Sequence, residues 1–497
     1  MKLSLLLEKV NILSGFGDFD PRYEEEVLSL CCDSRKAAEG AVFVCIKGAV
    51  SDGHEYAPAA YSKGCRIFVA ERELSLPDDA LVIISDNTRI ALAEMSQKFF
   101  GDPSKDIKVI GITGTKGKTT TAQLIYQILN ASGIKAGYIG TNGIMYDGQF
   151  FESVNTTPES YDLAYYMRKM IEADVKYLAL EVSSQALYME RVRGISFEAC
   201  VFTNLSPDHI GGSEHPDFDH YKASKERLFS EFAPKIAIYN ADDEASEYMM
   251  KNCSSPKFSY SICGRGHFNA DELKLYRESG RLGIRFRISA GKELSGMVDL
   301  PMPGDFNASN ALAAAAVCLS AGVEFEKILS SLSNVSMKGR FEVVDALPYA
   351  TFVIDYAHNG MSLRSVLSTL RKYEPARLIC VFGSVGGRTK LRRAELGKVA
   401  SEMCDFCIIT SDNPDNEEPM QIIDEIAAAF GDDGCDYVKI PSRREAVLYA
   451  VRNARKGDIV LFAGKGHEEY QLICGKREYF CERETIIEGA FSMLLGR

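Results

Sequence analysis

Positive charge is in short supply: 57 Lys and Arg stand against 69 Asp and Glu, a net charge of -12 over 497 residues. No whole-molecule basic field exists to hold a polyanion, so nucleic acid is not an expected partner and any anionic ligand must be gripped locally. Long apolar runs are also missing. The longest, Ala311 to Val323, is too short to span a bilayer and contains Ser320 and Gly322, so it reads as a core helix and membrane insertion is not expected. The first thirteen residues begin with Lys2 and a short apolar stretch that Glu8 and Lys9 break, without a small-residue cleavage site, and do not read as a signal peptide. Repeats and low-complexity tracts are absent. Cysteine is not scarce, at 14, but a paired framework is: Cys31 and Cys32 are adjacent, while Cys404 and Cys407 sit in an apolar run that reads as a buried strand. The latter spacing could form half of a zinc or redox site, yet zinc needs a second pair and none is at hand, so the thiols read as reduced side chains of a cytoplasmic protein.

What is present is ordinary globular composition, 25% charged and 46% hydrophobic, with length for two or three cores. Disorder, a collagen-like chain and a disulfide mini-scaffold are excluded. The rhythm is α/β throughout. Strands at Val42–Ile46, Arg66–Ala70 and Leu81–Ile84 precede a helix from Ile90 to Phe100, and Gly101-Asp102-Pro103-Ser104 then breaks the pattern. A strand at Lys108–Thr113 opens a second region. A third begins near Gly339, with strands at Thr351–Ile354, Arg377–Phe382, Phe406–Thr410 and Asp458–Phe462. The expected domains are residues 1–102, 103–339 and 340–497.

The strand Lys108–Thr113 runs into Gly114-Thr115-Lys116-Gly117-Lys118-Thr119-Thr120, and a helical segment, Ala122 to Leu129, follows. Strand, glycine-rich loop and helix are the context in which backbone N–H groups cradle phosphate. Gly114 and Gly117 permit close approach, Lys118 can bridge phosphates and the Thr119 hydroxyl can ligate Mg²⁺, so ATP is the expected ligand. Strict spacing of the general motif would place glycine at position 112, which is Ile112, so the pattern is missed by one residue. The alternative is an ordinary Gly/Lys-rich turn at a helix start.

This loop resembles the ATP loop of the Mur ligases, ATP-dependent amide-forming enzymes of peptidoglycan synthesis, which use the shortened variant. Further segments match in order: Asp33-Ser34-Arg35, Asp52-Gly53-His54, Asn155-Thr156-Thr157-Pro158, Glu181-Val182-Ser183-Ser184, Asn204-Leu205-Ser206-Pro207-Asp208-His209, Gly339-Arg340-Phe341-Glu342, Asp355-Tyr356-Ala357-His358, Asp412-Asn413-Pro414 and Gly464-Lys465-Gly466-His467-Glu468. The match covers essentially the whole chain. It implies an N-terminal α/β uridine-nucleotide domain, a central parallel sheet of P-loop ATPase type and a C-terminal Rossmann-like domain.

The chemistry implied is extension of a UDP-muramyl dipeptide by a diamino acid, with ATP converting a carboxylate to an acyl phosphate that the amine attacks. Triphosphate, carboxylate and a developing oxyanion must all be neutralised together. Glu181 ends a strand-like run, Tyr177 to Leu180, and is expected to complete the Mg²⁺ shell begun by Thr119; without the resemblance it reads equally well as an exposed strand-end acid. His209, in the loop after the strand Ala199–Thr203, matches the family's ligand to a second Mg²⁺. Lys225 matches the lysine that CO₂ carbamylates to N6-carboxylysine, turning a cation into an anionic ligand for that ion. From the residues alone, Lys222 and Lys225 read as a solvated basic face. Asn307 and Asn310 match adenine contacts, or else cap the helix Ala311 to Val317. Arg340 and Asp355 match contacts to phosphate and ribose, so ATP is expected to bridge two domains.

For the acceptor, Ser34 matches a nucleotide contact, and Thr156, Thr157, Ser183 and Arg191 match contacts to the muramyl peptide. Met189 stands where better-known members carry Gln. The incoming amino acid is expected near Arg388, Asp412, Asn413, Asp415 and Glu468. Members that add meso-diaminopimelate carry Arg directly after Asp-Asn-Pro, whereas this chain has Asp415 there. A carboxylate at that point would repel a distal carboxylate and attract an ε-ammonium, which favours L-lysine. The segments Asp208-His-Ile-Gly with Glu214-His-Pro, and Asp355-Tyr-Ala-His358-Asn-Gly, point the same way. Asp415 facing solvent, and ornithine or meso-diaminopimelate as substrate, stay open. Rival readings are a folylpolyglutamate-synthetase-like ligase, which should lack the first α/β domain, and a non-catalytic nucleotide-binding module. A monomer is expected.

Overall fold

The computed structural model describes residues 1–15, 21–48, 51–207, 210–211, 214–278, 280–387, 390–431 and 433–495. His209 and Arg388, two of the expected site residues, lie outside them. The chain forms two compact units, one of residues 1–268 and 310–328, the other of residues 269–309 and 329–497. Three principal sheets of mixed α/β character carry the fold.

In the first unit an N-terminal sheet orders its strands Ile12–Ser14, Leu81–Ser85, Ile67–Ala70, Ala41–Val44 and Ser29–Cys31. All pairs are parallel except the antiparallel edge strand Ile12–Ser14. Burial on both faces explains why these strands read as continuous apolar runs: Val42, Phe43 and Val44 are fully buried. The expected strand Val42–Ile46 ends at Val44, because the following residues turn toward the Asp52–His54 segment, where Gly53 N–H donates to the Ile46 carbonyl.

The same unit holds a second sheet in which Lys257–Ser261, Ile236–Asn240, Phe197–Phe202, Lys108–Thr113, Tyr177–Glu181 and Ala136–Gly140 run parallel in that order. The hairpin Gly143–Tyr146 and Gln149–Phe151 extends it antiparallel. Lys108–Thr113 lies between the strand that precedes and the strand that follows Ser183–Arg191 in sequence. The chain reverses its direction of travel across the sheet here, and α/β sheets bind ligands beyond the carboxyl ends of strands at such a point. Its core is built by residues such as Val109, Ile139, Leu178, Leu180, Phe202 and Leu228.

The second unit contains the antiparallel pair Arg281–Ala290 and Leu294–Leu300 and a six-stranded sheet ordered Glu342–Val344, Thr351–Asp355, Asp458–Ala463, Arg377–Phe382, Phe406–Ile409 and Asp436–Lys439. Only Glu342–Val344 is antiparallel. A hairpin, Tyr470–Ile473 with Lys476–Tyr479, follows. Beneath the sheet's carboxyl ends, Arg443 and Glu482 form a fully buried ion pair, with Arg443 also donating to the Ala463 carbonyl at 2.9 Å. Among the described residues no helix is long and apolar enough to cross a membrane, and all 14 cysteines are free of disulfides.

Candidate active site

The loop after Lys108–Thr113 is shaped by two glycines that nothing else could replace. Gly114 has φ +148°, and a Cβ there would lie 2.0 Å from Thr203 Oγ1. Gly117 has φ +85°, and its Cβ would lie 2.5 Å from Asn310 Oδ1. The helix begins at Lys118 rather than Ala122 and runs to Ala131, with Gly117 as its N-cap residue. Lys118, Thr119 and Thr120 are therefore its first turn, where the helix dipole favours an anion.

The loop is held from outside by residues whose role the sequence did not disclose. Thr203 Oγ1 donates to the Lys116 carbonyl, Asn204 Oδ1 accepts the Lys116 N–H at 2.9 Å, and Thr115 N–H donates to the Asn204 carbonyl. Ser206 N–H donates to Thr115 Oγ1, which also contacts the Tyr221 hydroxyl at 3.0 Å. The segment that leads to His209 thus serves first as a brace for the phosphate loop. Two ammonium groups converge on it. Lys118 Nζ donates to the Gly114 and Thr115 carbonyls, and Lys225 Nζ donates to the Gly114 carbonyl at 3.0 Å. Lys225 is 1% exposed, which overturns the solvated-face reading for this residue. Lys222, half-buried on the same helix, lies over the Tyr248 ring.

Glu181 is fully buried at the end of its strand, not an exposed acid. It accepts from Thr119 Oγ1 at 2.9 Å, from the Tyr138 hydroxyl, and from Thr141 N–H and Oγ1. Burial, reinforced by the Glu181 charge, pushes the Tyr138 phenol well above its ordinary value, so it stays a donor. Thr119 and Glu181 are hard oxygen donors side by side, a pairing that suits Mg²⁺.

The expected acceptor contacts gather around this carboxylate. Thr141 Oγ1 meets Thr156 Oγ1 at 3.1 Å; Thr157 Oγ1 donates to the Glu181 carbonyl and accepts the Ser183 N–H. Ser183 caps the helix Ser184–Tyr188 by accepting the Ala186 N–H. Arg191, largely buried, pairs with Glu159 at 2.8 Å and donates to the Thr157 carbonyl. Burial lowers the pKa of its guanidinium from the ordinary value. Met189 turns its sulfur toward Arg191 Nη2 at 3.7 Å, so the Met that replaces Gln lies against a guanidinium. Ser34 lies in the N-terminal sheet region on a short turn, where Asp33 accepts the Arg35 N–H and its guanidinium. Those bonds hold the Asp33 carboxyl at about 2.

Asn310 is not a cap. It lies within the helix Phe306–Ser320 and places its amide oxygen against Gly117 and 3.4 Å from the Thr121 hydroxyl. Asn307, in that helix's first turn, donates from Nδ2 to the Pro303 carbonyl at 2.7 Å.

In the second unit, Gly339-Arg340-Phe341-Glu342 packs its backbone against Gly466-His467: a Cβ on Gly339 would meet the His467 nitrogen at 2.1 Å. Phe341 adopts φ +46°, a strained setting for an aromatic residue, directly after Arg340. The buried Nε of Arg340 finds no hydrogen-bond partner among the described residues. A donor left in that state suits a phosphate oxygen. Asp355 accepts the Phe341 and Ala357 N–H groups, one on each carboxylate oxygen, at 2.9 Å. Burial raises its carboxyl above the ordinary value, against the pull of Arg340. Burial and the Arg340 charge also lower His467.

Asp412, Asn413 and Glu468 come together as expected, around a residue not foreseen as a site member. Lys465 is fully buried, with Nζ 2.7 Å from Glu468 Oε2, 2.8 Å from Asn413 Oδ1 and 3.6 Å from Asp412 Oδ1. One ammonium thus offsets one of two carboxylates. Asp415 is not part of this group's bonds. It sits at φ +51°, its carboxylate accepts the Gly475 N–H at 2.8 Å, and its backbone bonds Leu472 and Cys474. It shapes the hairpin turn instead. Its loop is anchored further by Glu417, which accepts from the buried Arg393 and from Gly387 N–H.

A phosphate loop at the reversal point of a parallel sheet, with a hydroxyl and a buried carboxylate beside it, defines an α/β protein of the nucleoside-triphosphate-binding class. The chain belongs to the Mur ligase family: residues 26–100 match the family's catalytic domain, residues 112–318 its middle domain and residues 339–466 its glutamate ligase domain. It is 39% identical over 494 residues to UDP-N-acetylmuramoyl-L-alanyl-D-glutamate–2,6-diaminopimelate ligase of Bacillus licheniformis, covering 98% of each chain. Its likeness to the enzyme of the same name from Caldanaerobacter subterraneus subsp. tengcongensis is 37% over 463 residues, 93% of this chain and 94% of that one. A solved structure of a ligase with that name superposes with a TM-score of 0.73 at 26% identity, over 99% of each chain.

Proposed function

We propose that this chain is an ATP-dependent ligase that joins meso-diaminopimelate to UDP-N-acetylmuramoyl-L-alanyl-D-glutamate in the cytoplasm, acting on small molecules as a monomer. The observation that carries the reading is end-to-end identity of 39% to a relative of that name, joined to an intact Thr119–Glu181 pair beside the phosphate loop.

ATP transfers its terminal phosphoryl group to the acceptor carboxylate, giving an acyl phosphate and ADP. The amine then attacks the acyl carbon, and phosphate leaves as the amide forms. In this scheme the loop from Gly114 to Thr120 holds the phosphates at the helix N-terminus, while the Thr115 and Lys116 N–H groups fix the loop to Asn204, and Lys118 neutralises charge as it migrates. Thr119 and Glu181 would hold the first Mg²⁺, and Lys225, once carbamylated by CO₂, would hold the second with His209. The ions supply charge neutralisation at the phosphates and the acyl oxygen when bound. Asn307, Asn310, Arg340 and Asp355 serve the nucleotide, and Ser34, Thr156, Thr157, Ser183 and Arg191 hold the acceptor. Asp412, Asn413, Glu468 and Arg388 receive the amino acid, with Lys465 setting the charge of that group.

Taken by itself, the charge at Asp415 favours L-lysine. That argument weakens because the carboxylate already caps the Ile473–Gly475 turn, and the relatives' names weigh toward diaminopimelate. Lysine is kept as the second reading because position 415 is acidic where a clamp on a distal carboxylate would be basic. The test is a competition: protein, ATP, Mg²⁺ and UDP-N-acetylmuramoyl-L-alanyl-D-glutamate with equimolar meso-diaminopimelate, L-lysine and L-ornithine, read by product mass. Diaminopimelate product is expected. Lysine or ornithine product reinstates the charge argument, and no product with any of them removes the ligase reading.

A further inference from the structure

The acceptor contacts on Ser183 and Arg191 bracket a short helix, Ser184–Tyr188, too short to hold its own position. It is clamped at both ends to the helix Phe218–Ser230, whose Lys225 and Tyr221 reach the phosphate loop. At the far end, Arg227 donates to the Leu187 carbonyl at 2.7 Å and to Glu190 Oε1 at 2.6 Å. At the near end the clamp is a pair of histidines. His215, 1% exposed, places Nε2 at 2.9 Å from Ser184 Oγ and Nδ1 at 2.8 Å from Nδ1 of His220. The Tyr188 ring stands edge-on against His220, and the His215 ring packs on Tyr221.

Proton counting shows why imidazole suits this place. Two neutral rings carry two N–H groups; one lies between the facing Nδ1 atoms, and the other is on one of the Nε2 atoms. In either tautomer the His215 Nε2 is matched to the Ser184 hydroxyl, which donates to a bare nitrogen or accepts from an N–H. Ser184 Oγ, both His215 nitrogens and His220 Nδ1 are thus each matched to a partner. Phenylalanine would fill the volume and lose both bonds, while glutamine could keep one.

We propose that His215 is a positioning residue for the acceptor: by fixing Ser184 it sets the register of Ser183 and Arg191 relative to the helix that carries Lys225. This rests on the proposed ligase function and adds a residue to its acceptor site. It acts through Ser184 and does not touch the reacting atoms.

The experiment measures KM for UDP-N-acetylmuramoyl-L-alanyl-D-glutamate, KM for ATP and kcat in His215→Phe, His215→Gln, Ser184→Ala and the combined His215→Phe/Ser184→Ala variant. Loss of a buried hydrogen bond should raise the acceptor KM about tenfold in His215→Phe and in Ser184→Ala, with ATP KM and kcat within about twofold of wild type. The double variant should be no worse than either single one, and His215→Gln should recover most of the loss. An unchanged acceptor KM, equal rises in both KM values, or additive effects would overturn the role of His215. Should His215→Phe fail to fold, Ser184→Ala carries the same expectation. A wild-type protein without turnover would instead overturn the ligase reading itself.

Discussion

The phosphate loop and the cluster around Lys465 are built in opposite ways. In the loop, seven consecutive residues set the geometry, and a helix N-terminus supplies the positive potential. Around Lys465, four side chains from segments more than 50 residues apart bond one another, and the ammonium offsets one of the two carboxylates before any ligand arrives. The first arrangement presents a surplus of positive potential from local geometry. The second presents a small residual charge, the difference between two carboxylates and one ammonium. A residual is fragile, since a single charged side chain elsewhere in the fold cancels or doubles it, and Asp415 illustrates how a charge adjacent in sequence can be spent on a turn.

The comparison breaks most severely where buried charge is left without a partner. Glu482→Ala strands Arg443 at 0% side-chain exposure beneath the second unit's sheet, and should cost about 3–5 kcal/mol in urea unfolding. A loss under 1 kcal/mol would mean the pair does not brace the strand ends behind Ser411 and Ala463. In the loop the effect should appear in rate rather than stability. Lys118→Met and Lys225→Ala should each lower kcat by about 10²–10³-fold with the melting temperature little changed, and short carboxylic acids should partly restore Lys225→Ala by replacing the carbamate. Full activity in Lys225→Ala would remove the carbamate assignment.

A milder change sharpens the contrast at position 415. Asn tolerates the left-handed backbone and keeps an acceptor for Gly475 N–H, so Asp415→Asn should fold within about 0.5 kcal/mol of wild type and leave the choice among diaminopimelate, lysine and ornithine as it was. A switch of product on this substitution would show that the charge, not the turn, is what matters there. The smallest effect is expected in the N-terminal sheet region. Bonds from the His54 N–H and the His54 ring hold the Asp52 carboxyl at about 2. A depressed carboxyl stabilises the fold above its unfolded value near 4, and that contribution disappears as pH falls from about 4 toward 2. Thermal melts of wild type and Asp52→Asn should therefore differ at neutral pH and converge toward pH 2; a constant gap would refute the linkage.

Much of this was legible in sequence because period and punctuation are local. The strands Lys108–Thr113 and Arg377–Phe382 have the expected bounds to the residue, since strands buried past their first residue and set between turn residues leave short apolar runs. The helix starts four residues before the expected Ala122, because Lys118, Thr119 and Thr120 are polar and look like loop, although a helix N-terminus facing phosphate demands such residues. The burial of Lys225 was invisible for a related reason. Its helix carries Lys222, Lys225, Glu226 and Arg227 close together, and only the packing of the helix against the loop decides which lysine turns inward.

Sequence alone determined the three α/β stretches, the phosphate loop with its lysine and hydroxyl, and the family resemblance, because each rests on residues close together along the chain. Tertiary structure alone decided that Thr203 and Asn204 brace the loop, that Asn310 lies on Gly117, that Lys465 balances Asp412 and Glu468, and that Asp415 caps a turn. Those facts depend on which distant segments share a site, and hydrogen bonds and charges in a buried setting are assigned by neighbours in space rather than neighbours in sequence.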